Sequence, residues 1–154
     1  MKSNKEIVRD FINATNQKDW NKLLTLVHKD FIRNSSSEPK QIKTNIGLVH
    51  FHQAELESFP DLQETILFAI EERDLVAARI NFSGTQLGQF INFAPTGKKI
   101  KTDFNCFFRV TEGKIKKTRV EYDTLNGLIQ LGLYKMNKEN NQGNQQLPTN
   151  TSCH

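Results

Sequence analysis

The chain lacks several features that would restrict its class. It has 154 residues but only two Cys, one Trp and four Pro, and its formal net charge is +4. Cys106 and Cys153 lie far apart and form no CxxC pair, which indicates neither a disulfide framework nor a zinc motif. No apolar run approaches the roughly 18 residues of a membrane span, and no apolar signal segment opens the chain. We therefore expect a cytoplasmic protein that does not insert into a membrane.

The surplus of positive charge is local. Residues 97–136 carry nine basic and four acidic side chains, whereas residues 1–96 are nearly neutral. Lysines cluster in segments 98–101 and 114–117, where a solvated sheet face is the simpler interpretation. An anionic partner or an acidic membrane surface is the alternative. The charge is too small and too mixed to predict a nucleic-acid-binding protein.

Composition also divides the chain. Residues 137–154 contain five Asn, three Gln and only two apolar residues. Such a segment cannot bury enough apolar surface to offset the entropy lost on ordering. We predict one folded domain over residues 1–136 and a disordered polar tail over 137–154.

Three helices are predicted before residue 60. The first begins with a capping box, Ser3 followed by Glu6, and ends at 13–16. Asp19 caps the second helix, which residues 28–30 close, and segment 34–39 is a loop by composition. The third spans about 46–58 and ends before Pro60. The spacing places five of its residues on one side: Ile46, Val49, His50, Gln53 and Leu56.

After Pro60 the period changes from that of a helix to that of a strand. Strands are predicted over 63–71, 75–84, 99–110 and 114–122, with tight turns at 73–74 and 112–113. Ile66, Phe68 and Ile70 are expected on one face of the first of these strands. A short helix rich in Leu and Ile closes the domain. Helices followed by an antiparallel meander indicate an α+β fold with helices on one face of a sheet, and a pocket between the layers.

No metal motif is visible. His50 and His52 form an HxH pair, but on a helix their side chains point about 200° apart, so a zinc site is not predicted. The chain contains no GxSxG, P-loop or GxGxxG pattern. Chemistry must therefore come from other side chains.

The end of the last predicted strand offers a candidate. A carboxylate at this position, Asp123, precedes a helix of Leu and Ile and could sit at the mouth of an apolar pocket. There its pKa would rise, which suits proton transfer at carbon. The alternative is that Asp123 only caps the helix that follows. On the preceding long strand, Asn105 and Arg109 share one face, and the opposite face is wholly apolar.

A set of short segments resembles the SnoaL-like polyketide cyclases, the ester-cyclase branch of the nuclear-transport-factor-2-like superfamily. The resemblance runs from about Val8 to Leu133. Its carriers are Phe59–Leu62, Asp74–Arg79, Phe82–Thr85 with Gly88, Pro95–Lys98, Phe107–Arg109, Gly113–Ile115, Tyr122–Asp123 and Gln130–Gly132.

This resemblance implies a cone-shaped α+β barrel, with N-terminal helices packed in a strongly curved, mainly antiparallel sheet, and a homodimer built through the sheets. It implies an intramolecular aldol cyclisation of a hydrophobic, polyketide-like substrate without metal or cofactor. Asp123 matches the family's general acid/base. Gln86 and Asn34 stand where the family commonly has His, and Tyr122 where it favours Trp.

Two kinds of function follow as hypotheses. The first is a cofactor-independent cyclase or isomerase in which Asp123 moves the proton and five side chains bind the substrate: Asn34, Gln86, Asn105, Arg109 and Tyr122. The second is a non-catalytic module of the same fold that binds a small molecule or a protein partner. A titration of the pocket carboxyl group separates them, because a binding module needs no perturbed acid.

Overall fold

The computed structural model describes residues 1–136, so the predicted tail at 137–154 lies outside the described residues. The helices are α1 (Asn4–Gln17), α2 (Trp20–Leu26), α3 (Asn45–Ser58) and α4 (Thr124–Gln130). The strands are β1 (Val27–Ser35), β2 (Ile42–Lys43), β3 (Gln63–Glu72), β4 (Leu75–Thr85), β5 (Lys99–Thr111) and β6 (Lys114–Tyr122). No helix within 1–136 is long and apolar enough to cross a membrane.

The first helix forms for local reasons. The Ser3 hydroxyl accepts the Glu6 N–H at 3.3 Å, and the Glu6 carboxylate accepts the Ser3 N–H at 2.7 Å, which confirms the capping box. Lys18 ends the helix in the left-handed region with φ 58°. The apolar stripe buries Ile7, Val8 and Phe11. An edge-to-face contact between the Phe11 and Phe108 rings, 5.9 Å apart, joins α1 to β5.

The segment after α2 differs from its prediction. Asp19 caps α2 as expected, but residues 27–35 form β1 rather than a helix end and a loop. β1 pairs with β6 in parallel, and the two-residue β2 pairs with β1. Polar residues at 28–30 and the serines at 35–37 obscure this strand in the sequence, because its main strand partner, β6, lies far away along the chain.

The six strands form one curved sheet in the order β2-β1-β6-β5-β4-β3. Pairing from β3 to β6 is antiparallel throughout, and the β5–β6 turn has Glu112 and Gly113 at φ 52° and 72°. The helices α1 and α3 cover the inner face. The predicted α+β fold is confirmed.

Two faces are assigned differently by the structure. α3 buries Leu48, Val49 and His52, whereas Ile46, His50 and Gln53 are exposed, so the side that the spacing groups together is not the buried side. The apolar residues of α3 are distributed around the whole helix, so their spacing does not identify one buried face.

The second correction concerns β3. A register shift between Ile66 and Phe68 marks a bulge at Leu67. The bulge reverses the alternation of side chains, so Phe68 and Ile70 point outward and are 56% and 64% exposed. Glu64, on the other side of the bulge, is buried on the inner face.

Candidate active site

A small cavity lies between α1, α3 and the inner face of the sheet. Its volume is about 30 Å³, enough for about one water molecule. Its wall is mostly apolar and aromatic but includes an unusual number of ionisable groups for a protein interior. The lining residues are Phe11, Ile12, Arg33, Leu48, Phe51, His52, Glu55, Glu64, Ile80, Phe104, Cys106, Phe108, Thr118, Val120 and Tyr122.

Glu64 is the most perturbed acid that faces this cavity. The Asn16 side chain holds its backbone, accepting the Glu64 N–H and donating to the Glu64 carbonyl, both at 2.8 Å. Glu64 itself is only 8% exposed. Burial raises the pKa of Glu64 from 4.5 to about 7, opposed mainly by the charge of His52. At neutral pH the acid and its conjugate base are therefore both populated.

Arg33 and Tyr122 form a donor pair on the opposite wall. The Arg33 guanidinium is 4% exposed, donates to the Glu38 carboxylate and to the Tyr122 hydroxyl oxygen, and lies 4.2 Å above the Phe51 ring. Burial lowers the pKa of Arg33, but Tyr122 and Glu38 outweigh it and hold the pKa above its ordinary value. Burial raises the pKa of Tyr122 well above its usual range. The phenol keeps its proton and, polarised by Arg33, can donate it.

Two further polar groups of the cavity wall lack partners. His52 Nδ1 lies 3.0 Å from a Glu55 carboxylate oxygen, and its Nε2 is buried with no hydrogen-bond partner in residues 1–136. The hydroxyl of Thr118 on β6 is buried and unpartnered in the same way. Unpaired buried polar atoms are uncommon, because each costs about 1–3 kcal/mol. Both atoms are available to pair with water or with a polar ligand in the cavity.

Three of the six predicted site residues meet elsewhere, in an open groove of about 720 Å³ on the outer side of the sheet. Asn105, Tyr122 and Asp123 line it. Asp123 is exposed, and its carboxylate accepts the Asn126 N–H at 3.0 Å, so it caps α4. Tyr122 also lines the inner cavity. The capping interpretation of Asp123 is confirmed, and its catalytic role stays a prediction.

The other three lie apart from one another. Gln86 is fully buried and holds its own loop through Thr96 and the Ala94 carbonyl. Arg109 is on the outer face and pairs with Asp74, and the half-buried Asn34 lies beside Arg119 at the β1–β6 pairing. The structure therefore does not bring the predicted set into one pocket, because odd positions of β5 point away from the helices. Their roles in binding stay predictions.

The ionisable groups of the cavity escape a search for sequence motifs. Arg33 lies two residues after the buried Phe31, and Glu64 two residues before Ile66, so each is a charge in a core-facing position. His52 lies three residues after the buried Val49 and four after Leu48. A scan for charged residues in phase with neighbouring apolar residues would select Arg33 and Glu64 but not His52, because the apolar residues of α3 do not mark one face. No group of three or more potential metal-ligating side chains is found in residues 1–136.

Solved proteins share this fold. IdmH from Streptomyces antibioticus, a candidate polyketide cyclase, is 24% identical with a TM-score of 0.74, over 83% of this chain and 97% of that chain. AclR from Streptomyces galilaeus, a candidate hydroxylase, is 24% identical with a TM-score of 0.73, over 85% and 96%. A candidate SnoaL-like polyketide cyclase from Jannaschia sp. CCS1 is 18% identical with a TM-score of 0.77, over 88% and 99%.

These similarities define the class of protein as a helix-filled α+β fold with a curved sheet. The sequence profile of SnoaL-like polyketide cyclases matches residues 5–131. The chain belongs to the SnoaL-like polyketide cyclase family, which confirms the resemblance noted in the sequence. Comparison with curated proteins gives no match.

Proposed function

We propose that the protein catalyses proton transfer at carbon in a hydrophobic, carbonyl-bearing small molecule, as in a polyketide cyclisation, and that the inner cavity is the reaction site. The observation that supports this most is the Glu64 carboxyl group, which is buried in the cavity wall and has its pKa raised by burial to about 7. A group poised near neutral pH is effective as both general base and general acid. Side chains of the protein supply every group that this proposal uses.

The Arg33–Tyr122 pair supplies the second requirement. Removal of a proton between two carbonyl groups leaves negative charge on a carbonyl oxygen, and donors fixed in advance stabilise that charge best. The Tyr122 hydroxyl and the Arg33 guanidinium provide such donors at one wall of the cavity. Both are held by neighbouring groups and need little rearrangement.

The substrate class follows from the lining. Apolar and aromatic side chains surround a few polar groups, as is usual for small-molecule sites. Because the cavity holds about one water molecule, a substrate must displace part of the wall. Phe51 and Tyr122 are the half-buried aromatic side chains there. Entry on their side would place a carbonyl oxygen close to the Arg33–Tyr122 pair.

Exchange of an acidic carbon-bound proton tests the proposal. We expect the protein to accelerate deuterium uptake between the carbonyl groups of ethyl benzoylacetate, followed by proton NMR. Glu64→Gln should lower this rate about a hundredfold, the usual contribution of a general acid–base group. Glu72→Gln on the exposed end of β3 is the matched control and should leave it unchanged.

Asp123→Asn separates this proposal from the role that the family resemblance implies. Asn still caps a helix but cannot transfer a proton. We expect it to keep the exchange rate. A large loss with Asp123→Asn and none with Glu64→Gln would assign the acid/base role to Asp123, and absence of acceleration by the unaltered protein would reject the proposed function.

A non-catalytic binding function is the second candidate, and the open groove favours it. The groove is far larger than the cavity and is polar, with charges of both signs from Arg79, Lys101 and Asp103. If this function is correct, the same ester should perturb the amide signals of Asn105 and Asp123 without any exchange. Perturbation at Glu64 and His52 instead would contradict it.

We also propose that the chain forms a homodimer through the outer face of the sheet. Ile70, Ala77 and Phe107 lie side by side on β3, β4 and β5, and Ile70 and Phe107 are 64% and 43% exposed. An apolar row flanked by charges suits a second copy of the chain. Phe107→Glu should give a monomer by analytical ultracentrifugation, whereas Leu125→Glu on α4 should not. A monomeric unaltered protein would reject the dimer.

A further inference from the structure

His52 has the geometry of a base that is held in place by a neighbouring acid. Its ring is 6% exposed and packs against Phe11 and Phe51, with centroids 6.1 and 5.4 Å away. Its Nδ1 faces the Glu55 carboxylate at 3.0 Å. A carboxylate can only accept a hydrogen bond, so the proton of the neutral imidazole lies on Nδ1 and the lone pair on Nε2.

The free nitrogen belongs to the wall of the cavity. Nε2 is buried and unpartnered within the described residues, on a ring that lines the same space as Glu64. A histidine that served only to fill the core would leave this acceptor unpaired at a cost of about 1–3 kcal/mol. A donor that enters the cavity, such as a polarised carbon acid or water, would remove that cost.

We propose that His52 is a second proton-transfer residue of this site, held by Glu55 as its positioning residue and working together with Glu64. This inference rests on the proposed function and assigns its two proton transfers to two different groups. Nothing in the sequence motifs selects His52, since the HxH pattern argues only against zinc.

The steps balance without any additional reactant. His52 Nε2 takes the proton from the carbon between two carbonyl groups, so a C–H bond breaks and an enolate forms. The enolate carbon then bonds to a third carbonyl carbon of the same substrate, whose oxygen becomes an alkoxide. Protonated Glu64 supplies the proton that makes this alkoxide a hydroxyl group. Transfer of a proton from His52 to Glu64, directly or through cavity water, restores both groups. Exchange without cyclisation uses the same relay, because the carboxylate form of Glu64 takes the proton from His52, so loss of either group slows exchange.

Charged and titratable groups surround both His52 and Glu64, the two groups to which the proton transfers are assigned. His52 is faced by Glu55 on its own helix, by Glu64 from β3, by Arg33 from β1 and by Cys106 and Tyr122 from β5 and β6. After burial, the charge of His52 is the largest influence on the pKa of Glu64. The two groups are therefore close enough to interact electrostatically within the cavity.

The first experiment measures the tautomer directly. In the full chain labelled with ¹⁵N-histidine, we expect the Nδ1-protonated form of His52 at neutral pH. Glu55→Gln should weaken that preference, while Glu57→Gln, exposed on the same helix, should not. A proton on Nε2 in the unaltered protein would overturn the proposal, and this result does not depend on any variant folding.

The second experiment measures deuterium uptake between the carbonyl groups of ethyl benzoylacetate. His52→Gln should lower the rate about a hundredfold and remove one limb of its pH profile, as loss of a general base does. His50→Gln, exposed two residues away, should change neither. If Glu64→Gln slows exchange but His52→Gln does not, the role of His52 is rejected and the proposed function stands. If the unaltered protein accelerates nothing, both are rejected.

Discussion

The inner and outer faces of the sheet carry similar side chains in opposite environments. On the inner face, Arg33 and Glu64 lie at the wall of a cavity and are buried. On the outer face, Arg109 and Asp74 form an ion pair in which each side chain is 49% exposed. Water screens the outer pair, so it contributes little, whereas the interior amplifies each charge and shifts its proton equilibrium. Chemistry is therefore to be sought on the inner face, although most polar residues of the sheet point outward.

The largest expected difference concerns arginine. Arg33→Met should lower the free energy of unfolding by about 3 to 5 kcal/mol, because it leaves the Glu38 carboxylate and Tyr122 without their buried partner. Arg109→Met should cost no more than about 1 kcal/mol, as is usual for exposed pairs. Urea unfolding of both variants measures the contrast. Equal losses would show that the two faces do not differ in this way.

The pH dependence of stability tests the inner carboxyl group. Because burial raises the pKa of Glu64 from 4.5 to about 7, the folded chain binds the proton more tightly than the unfolded chain. The resulting stabilisation is complete below pH 4.5 and is lost as the pH rises to about 7. It amounts to about 3 kcal/mol.

The side chain in Glu64→Gln is uncharged at every pH, so this variant should not lose stability as the pH rises. In urea unfolding at a series of pH values, the free energy of unfolding of the unaltered protein should therefore fall below that of Glu64→Gln as the pH approaches neutrality. Glu72→Gln on the outer, exposed part of β3 is the control and should follow the unaltered protein. Parallel curves for all three would place Glu64 in water rather than in the cavity.

The smallest expected effect is at the groove. Asp123→Ala should lower stability by about 1 kcal/mol because it removes the cap of α4, and Asp123→Asn should restore most of it. Thermal unfolding of the two variants measures this difference. If both substitutions were equally harmful, the carboxylate charge rather than the cap would be what matters at this position.

Much of the fold could be predicted from the sequence because its signals are local. The capping box at Ser3, the turn at Gly113 and the limits of β6 each depend on neighbours within a few residues, and the structure confirms them. The resemblance reached the right family for the same reason, since its carriers are short segments in a fixed order.

The candidate site could not be predicted in the same way. Its members come from β1, α3, β3 and β6, and no short pattern connects Arg33, His52 and Glu64. Asp123 stood out because it ends a strand, yet that position also makes it a cap. The alternation of side chains along β5 correctly placed Asn105 and Arg109 on the face opposite the apolar core residues. It did not show that the helices, and with them the inner cavity, lie on the apolar face.

By itself the sequence determined the helices, the meander and the apolar stripe of α1, because hydrophobic period and capping act within one element. Only the tertiary structure decided which charged side chains became buried. The bulge at Leu67 turns Phe68 and Ile70 outward while Glu64 stays inside, and the parallel pairing of β1 with β6 brings Arg33 to Tyr122. Burial of a charge depends on what packs against it, and in this protein the packing partners lie far away along the chain.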